Sequence, residues 1–377
     1  GDILSDIKKI RAPLKSEMGK SRSNKVKQTA NKKGATSKNT DSSNNSNNNN
    51  AAASNSSSSG TNKPKNHLIT DATQPYTFTF GRFGTSQSIT VHQTPNEDVW
   101  PGGALWDLGV LLAQVLVLLT KNATMSRNNN RLPPIPDRLL DANLDITWKD
   151  TRVLELGCGV GLTGLVAAAL GAKATLLTDL GVVIDGITQE NVEINTILGP
   201  SKTCGYRSTR SGGRVVAMPL AWGVVDDEQA TAAMLERIAP ISKSSSSSGG
   251  NGRRKKEKKG SAGAVATRKT EGTPDLIIIG DVAYQHKPGA PSHFDILLSS
   301  LLKFLDNDTL VVFGTRMRMP ASADLLDMFH DHMDEVVVPP IEAHELDPSF
   351  GSGELGRKHN MTIHFLKKKK KSIPENV

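Results

Sequence analysis

The sequence predicts an α/β protein built on a doubly wound, mostly parallel sheet, and three observations carry that expectation. Residues 153–165 (VLELGCGVGLTGL) run from an apolar strand end, through a turn holding Gly157, Gly159 and Gly161, into an apolar, alanine-rich helix. A second short strand, 174–178, ends in Asp179, twenty-two residues after Gly157. A nucleoside-binding α/β unit needs a carboxylate there, to accept hydrogen bonds from ribose hydroxyls. Downstream, apolar runs of strand length alternate with segments of helical period as far as residue 366.

In chain order, 76–80 (YTFTF) and 88–92 (SITVH) alternate with the strand period across a glycine-containing turn and read as an N-terminal β-hairpin. Residues 104–120 are apolar enough for a buried helix, and 127–138 (RNNNRLPPIPDR) is a loop. Strand 152–156, helix 161–171, strand 174–178 and helix 182–197 follow, then a polar loop over 199–213. Strand 214–219 and helix 226–238 come next. Residues 275–280 (DLIIIG) have the continuous apolar character of a strand buried on both faces. Helix 293–305, strand 309–314, helix 321–333 and strands 335–338 and 361–366 complete seven strands between 152 and 366. The last two, joined without an obvious helix, fit an antiparallel hairpin at one edge.

The glycine spacing bears on the ligand. A dinucleotide fingerprint requires G-x-G-x-x-G; here Leu162 occupies the third glycine position and the pattern is E-x-G-x-G-x-G. The leading Glu155 suits a ligand carrying an ammonium or sulfonium better than one carrying a pyrophosphate. S-adenosyl-L-methionine has both cations and no phosphate. A plain tight turn between strand and helix would explain the glycines, but not Glu155 and Asp179 together. Cys158 lies inside the loop as a small residue tolerated beside a ligand.

Composition divides the chain. Residues 1–75, 241–274 and 367–377 are rich in Lys, Ser, Asn and Thr, poor in clustered apolar side chains, and cannot offset chain entropy by burial. They read as a disordered basic tail, a disordered basic insertion and a second basic tail around one domain over 76–366. Their net charges are +8, +7 and +4, so the remaining 257 residues carry −11 although the chain as a whole is +8. Two readings of the basic segments stand side by side: weak nucleic-acid or ribosome contact or nuclear targeting, and solvated sequence that keeps the chain soluble. The acidic domain favours a cationic substrate. Two cysteines form no disulfide framework or zinc site, the histidines show no metal or catalytic spacing, and no metal is expected. No apolar signal region opens the chain, and the longest apolar run, 110–119, is interrupted by Gln114 and too short to span a bilayer. The expected compartment is therefore reducing, cytoplasm or nucleus, with no membrane contact. The start at Gly1 rather than Met reads as a partial or trimmed chain.

Four short signals fall at strand ends or helix starts: the loop 155–161, Asp179, Leu220-Ala221-Trp222-Gly223 after the third strand, and Gly280-Asp281-Val282-Ala283-Tyr284 after the fourth. Trp106-Asp107 opens the long helix. This set resembles the seven-strand, Rossmann-like S-adenosylmethionine-dependent methyltransferases, and more narrowly the family 16 protein-lysine methyltransferases with a D-x-x-Y motif, matched by Asp281 and Tyr284. The N-terminal hairpin is also familiar there. The family often has an acid before Trp-Gly, where this chain has Ala221. The resemblance implies cofactor contacts at Trp106, Glu155, Gly157, Cys158, Gly159, Gly161, Asp179, Trp222 and Gly280. It implies acceptor-side roles for Asp281 and Tyr284, and a protein substrate such as a chaperone or translation factor. Methylation of another acceptor (a protein histidine, RNA or a small amine) is the alternative, as is a non-catalytic scaffold binding RNA or ribosomes through the basic segments.

Overall fold

The computed structural model describes residues 71–82, 85–94, 96–120, 123–125, 136–142, 144, 146–198, 206–239, 272–282, 293–316, 320–347 and 360–370. All of them fall in the compact unit 67–377. Most of the three low-complexity segments, together with Ala283 and Tyr284, lie outside the described residues.

The elements, in order, are β1 (Tyr76–Arg82), β2 (Thr85–Val91), α1 (Asp107–Leu118), β3 (Ala123–Met125), α2 (Asp137–Asp141), β4 (Arg152–Leu156), α3 (Leu162–Ala169) and β5 (Ala174–Asp179). Then come α4 (Gly181–Val183), a π-helical stretch (Ile184–Thr188), α5 (Gln189–Asn195), β6 (Ile197–Leu198), β7 (Arg207–Ser208), β8 (Arg214–Pro219), α6 (Val225–Ile238) and β9 (Leu276–Gly280). Last are α7 (Phe294–Phe304), β10 (Leu310–Arg316), α8 (Pro320–His332), β11 (Met333–Glu335), β12 (Ile341–Glu342), α9 (Ala343–Leu346) and β13 (Met361–Lys368).

The main sheet runs β11-β13-β10-β9-β4-β5-β8-β7-β6, with β12 also paired to β13. Strands β10, β9, β4, β5 and β8 are parallel, and β13 enters antiparallel between β10 and β11. Seven strands thus form the expected Rossmann-like sheet, with the short β6, β7 and β12 added to it. Side-chain alternation sends successive residues of each central strand to opposite faces. Val153 of β4 and Leu276 and Ile278 of β9 join one core with α1 and α3. Leu154, Leu156, Ile277 and Ile279 join a second core with α6, α7 and α8. Helix α1 is buried on every side, from Asp107 and Leu108 to Val117, as an apolar helix between sheet and hairpin must be.

Two expectations need correction. The strand expected over 335–338 is Met333–Glu335, its pairing ending at Glu335↔Leu366. Val338 is exposed and precedes Pro339-Pro340, which have no N–H to give to a ladder. The polar loop expected over 199–213 contains β7, held antiparallel to β8.

The hairpin lies on the first core, burying Phe78, Phe80, Ile89 and Val91, and β3 pairs with β1 on its other edge. Its free edge at β2 is closed by two asparagines one turn apart on α5. Asn195 accepts from Thr90 N–H (2.9 Å) and donates to Thr90 O (2.6 Å). Asn191 accepts from His92 N–H (2.7 Å) and donates to His92 O (3.1 Å) and Val160 O (2.9 Å). Side-chain amides thus stand in for a neighbouring strand. Asn191→Ala is expected to destabilise the protein by about 2–4 kcal/mol in denaturant unfolding, because buried main-chain groups lose their partners. A change under about 0.5 kcal/mol would show that water replaces the clamp.

Candidate functional site

The parallel strands deliver their C-terminal ends to one cleft of about 510 Å³, the address of ligands in doubly wound sheets. Its walls bring together nine of the residues that the sequence singles out: Trp106, Glu155, Gly157, Cys158, Gly159, Asp179, Trp222, Gly280 and Asp281. Gly161 is set back from it, and Tyr284 lies outside the described residues.

The glycine loop is strapped to the end of β5. Gly157 and Cys158 both donate to Thr178 O (2.9 and 3.0 Å), and Thr178 Oγ1 donates to Glu155 O (2.6 Å). Gly157 has φ +72°, and a Cβ there would stand 2.8 Å from Val282 and 3.6 Å from Trp222. A side chain would therefore close the floor of the cleft as well as strain the turn. Gly159 has φ +52°; its N–H donates to Asp179 Oδ2 (2.8 Å), and its carbonyl accepts from Thr188 Oγ1 (2.7 Å).

Glu155 sits on the β4 face that meets α3. The helix N-cap is Gly161, which offers no side chain to the first-turn amides. Glu155 supplies the missing cap from the neighbouring strand, its Oε2 accepting Gly164 N–H at 2.9 Å. Burial raises its pKa to about 8, with the Asp179 charge adding to the rise and the Gly164 hydrogen bond opposing it. Asp179 is also raised by burial, and it accepts from the N–H groups of Gly159 and Leu180 (2.8 and 2.7 Å). Burial pushes the Cys158 thiol well up, so it is a neutral, packed side chain rather than a nucleophile.

Opposite the glycine loop, Trp222 stands on a turn held by Gly223 N–H donating to Ser300 Oγ (2.8 Å). Ala221, where an acid is frequent, has its N–H capped by Asp227 Oδ2 (2.9 Å), so a carboxylate still anchors this turn from α6. Gly280 ends β9, and a Cβ there would come 2.8 Å from Leu112 of α1. Asp281 has φ +49°, alone in the left-handed region among the non-glycine described residues, and donates its N–H to Gly314 O (3.0 Å).

Sequence reasoning missed the loop before α1. Val99, Trp100 and Gly102 line the cleft, and a Cβ on Gly159 would be 3.0 Å from Gly102 O. Trp106 donates Nε1–H to Pro101 O (3.1 Å), its ring 5.4 Å from that of Trp100. The run Trp100-Pro101-Gly102-Gly103 was the available signal, an aromatic beside a turn directly before a functional helix. His293 and Ile296 at the start of α7 close the far side. Asp98, Glu155, Asp179 and Asp281 line the cleft with no Lys or Arg among the described lining residues. The donor set therefore fits S-adenosylmethionine: acids for its cations and ribose hydroxyls, glycine backbone for close approach, and apolar and tryptophan surface for its adenine.

The family comparison agrees with this chemistry. A family model described as lysine methyltransferase matches residues 85–235. Over 46 residues, 12% of this chain, the sequence is 44% identical to a ribosomal protein L11 methyltransferase of Ruminiclostridium cellulolyticum, and the match spans 15% of that relative's length. Among solved structures, the chain is similar to a ribosomal protein L11 methylase from Lactobacillus delbrueckii subsp. bulgaricus (TM-score 0.30, 14% identity, 62% of this chain and 77% of that one). It is also similar to a putative methyltransferase complexed with SAH (TM-score 0.38, 14% identity, 77% of this chain and 56% of that one). No helix among the described residues is long and apolar enough to cross a membrane. The chain is thus similar, over residues 85–235, to the family 16 methyltransferases, and S-adenosylmethionine is the cofactor that this similarity supports.

Proposed function

We propose that this protein transfers a methyl group from S-adenosylmethionine to a lysine side chain of another protein. The observation that carries this reading is the acidic cleft, in which Asp281 at the end of β9 shares one cavity with the glycine loop and Asp179. Glu155, Asp179, the Gly157 and Gly159 backbone and Trp222 would hold the cofactor, which when bound supplies a methyl carbon made electrophilic by a sulfonium leaving group. Asp281 accepts a hydrogen bond from the incoming amine and fixes its direction, so the chain's contribution is positioning.

The amine must shed a proton, since an unperturbed lysine has a pKa of about 10.4. A carboxylate alone would hold that proton on. The apolar walls from Val99, Leu112, Val282 and Ile296 disfavour the ammonium form and oppose Asp281 in this respect. Asp281 therefore orients the amine or relays its proton. Tyr284 takes its place at the alkyl-amine end on the strength of the family motif. The acceptor is a protein such as a chaperone or translation factor, met in the cytoplasm or nucleus, and the basic segments add weak nucleic-acid contact.

The test is incubation of the full chain with methyl-labelled S-adenosylmethionine and a cell extract, followed by identification of the labelled residue. Label on lysine supports the proposal, label on histidine or RNA removes the acceptor, and cofactor binding without any label points to a scaffold. Asp179→Ala is expected to weaken cofactor binding about 10- to 150-fold in calorimetry, the equivalent of about 1.5–3 kcal/mol for hydrogen bonds to a buried charge. Unchanged affinity in a folded variant would remove Asp179 from the site.

A further inference from the structure

Away from the cleft, at the outer edge of the sheet, three side chains with metal-binding atoms converge. His330 lies near the end of α8, Glu335 ends β11, and His364 lies in β13. One nitrogen of each histidine and a Glu335 carboxylate oxygen all lie within 4.8 Å of one another. His330 Nε2 is 3.0 Å, and His364 Nδ1 2.6 Å, from the same Oε1. His364 is buried, Glu335 Oε2 is buried and takes no hydrogen bond from any described residue, and His330 is half-exposed.

We propose that His330, Glu335 and His364 form a zinc site that pins α8, β11 and β13 together. Two imidazoles and one carboxylate are a recurrent zinc ligand set, leaving a fourth position for water on the exposed His330 side. The second ring nitrogen of His364 lies 2.9 Å from Thr362 Oγ1. That contact fixes the ring and leaves Nδ1 facing the centre, as partners of metal-bound histidines do. Donors around tetrahedral zinc stand about 3.3 Å apart at bond lengths of about 2.0–2.1 Å. Reaching that spacing takes about 0.3 Å between His330 Nε2 and Oε1 and about 0.7 Å between His364 Nδ1 and Oε1. His330, at a helix end and half-exposed, can supply the first, and rotation of the Glu335 carboxylate, whose Oε2 takes no hydrogen bond from any described residue, the second.

A cation also resolves the chemistry of the cluster. Both nitrogens aim at one carboxylate oxygen, and the other oxygen lacks a described partner; a divalent ion can take lone pairs from all three side chains at once. Sequence spacing gives no hint of this, because four residues separate His330 from Glu335 and twenty-eight separate Glu335 from His364. Only the antiparallel entry of β13 beside β11 brings them together.

The test is titration of the untagged, metal-free full chain with zinc by calorimetry, and with cobalt(II) by visible absorption. The expected result is one saturable equivalent, a tetrahedral cobalt band and a higher melting temperature with zinc. His330→Ala, a half-exposed change that leaves the cores intact, is expected to weaken zinc binding by at least about 100-fold, more than loss of an outer-shell partner alone. Glu335→Gln is expected to abolish the cobalt band, and His332→Ala, at an exposed neighbour, to change nothing. No saturable binding, or binding unchanged in both His330→Ala and Glu335→Gln, overturns the proposal and leaves a hydrogen-bonded triad.

Discussion

Replacing Asp281 by glycine is expected to remove at least about 99% of methyl transfer while the variant still folds. The backbone at Asp281 is left-handed, φ +49°, a conformation that costs an L-residue roughly 1 kcal/mol and glycine nothing. The neighbouring hydrogen bond, Asp281 N–H to Gly314 O, uses only main-chain atoms and survives the change. Glycine therefore deletes the carboxylate and keeps the turn, whereas Asp281→Ala deletes the carboxylate and keeps the strain. Loss of turnover in both variants, cofactor affinity within a few-fold of the parent, and a melting temperature higher for glycine than for alanine is the expected pattern. If turnover per folded molecule is unchanged in the glycine variant, Asp281 is a turn residue and has no part in positioning the acceptor.

The second large effect concerns pH. Glu155 has an ordinary pKa of 4.5 and is pushed to about 8 by burial. Between those values the folded protein binds a proton that the unfolded chain has already lost. Stability is thus fully present below about pH 4.5 and falls as pH rises towards 8, by a few kcal/mol in all if Glu155 acts alone. Glu155→Gln keeps an acceptor for Gly164 N–H and cannot ionise, so its unfolding midpoint is expected to vary much less across that window. A cation bound in the same cleft favours the ionised carboxylate, so cofactor affinity is expected to rise with pH over the same range, with proton release visible as buffer-dependent binding heat. A parent protein equally stable at pH 5 and pH 8 would show that Glu155 is solvated in practice.

The parts of the site that could be read from the sequence are local. Glycines at alternate positions after an apolar strand, and an acid at the end of the next strand, are short-range requirements of one strand–loop–helix unit, and Gly157, Gly159 and Asp179 meet in the cleft accordingly. What could not be read depends on distant pairing. The Trp100–Gly102 wall is irregular backbone without periodicity, and its run of an aromatic beside a turn does not reveal that it approaches Gly159. The asparagine clamp joins α5 to a hairpin about a hundred residues earlier. Glu155 illustrates the middle case. Its presence in the cleft was legible, but its capping of α3 follows from packing the strand beneath the helix. Strand β3 escaped because three residues are too few for a pattern.

The order of the strands has a consequence for synthesis. β13 is the last of the described strands in sequence but lies inside the sheet, and among the described residues β11 and β12 are paired only through it. Met361 lies 45 residues beyond Arg316 at the end of β10. At about 5–20 residues per second, the ribosome needs about 2–9 s to cover that distance. Throughout that interval β10 presents an open, apolar edge, Leu310 to Phe313, of the kind that pairs with other nascent chains. A stop codon anywhere between 317 and 360 would make that interval permanent, giving a chain with an intact glycine loop and a sticky seam, lost to aggregation rather than to any defect of its cleft.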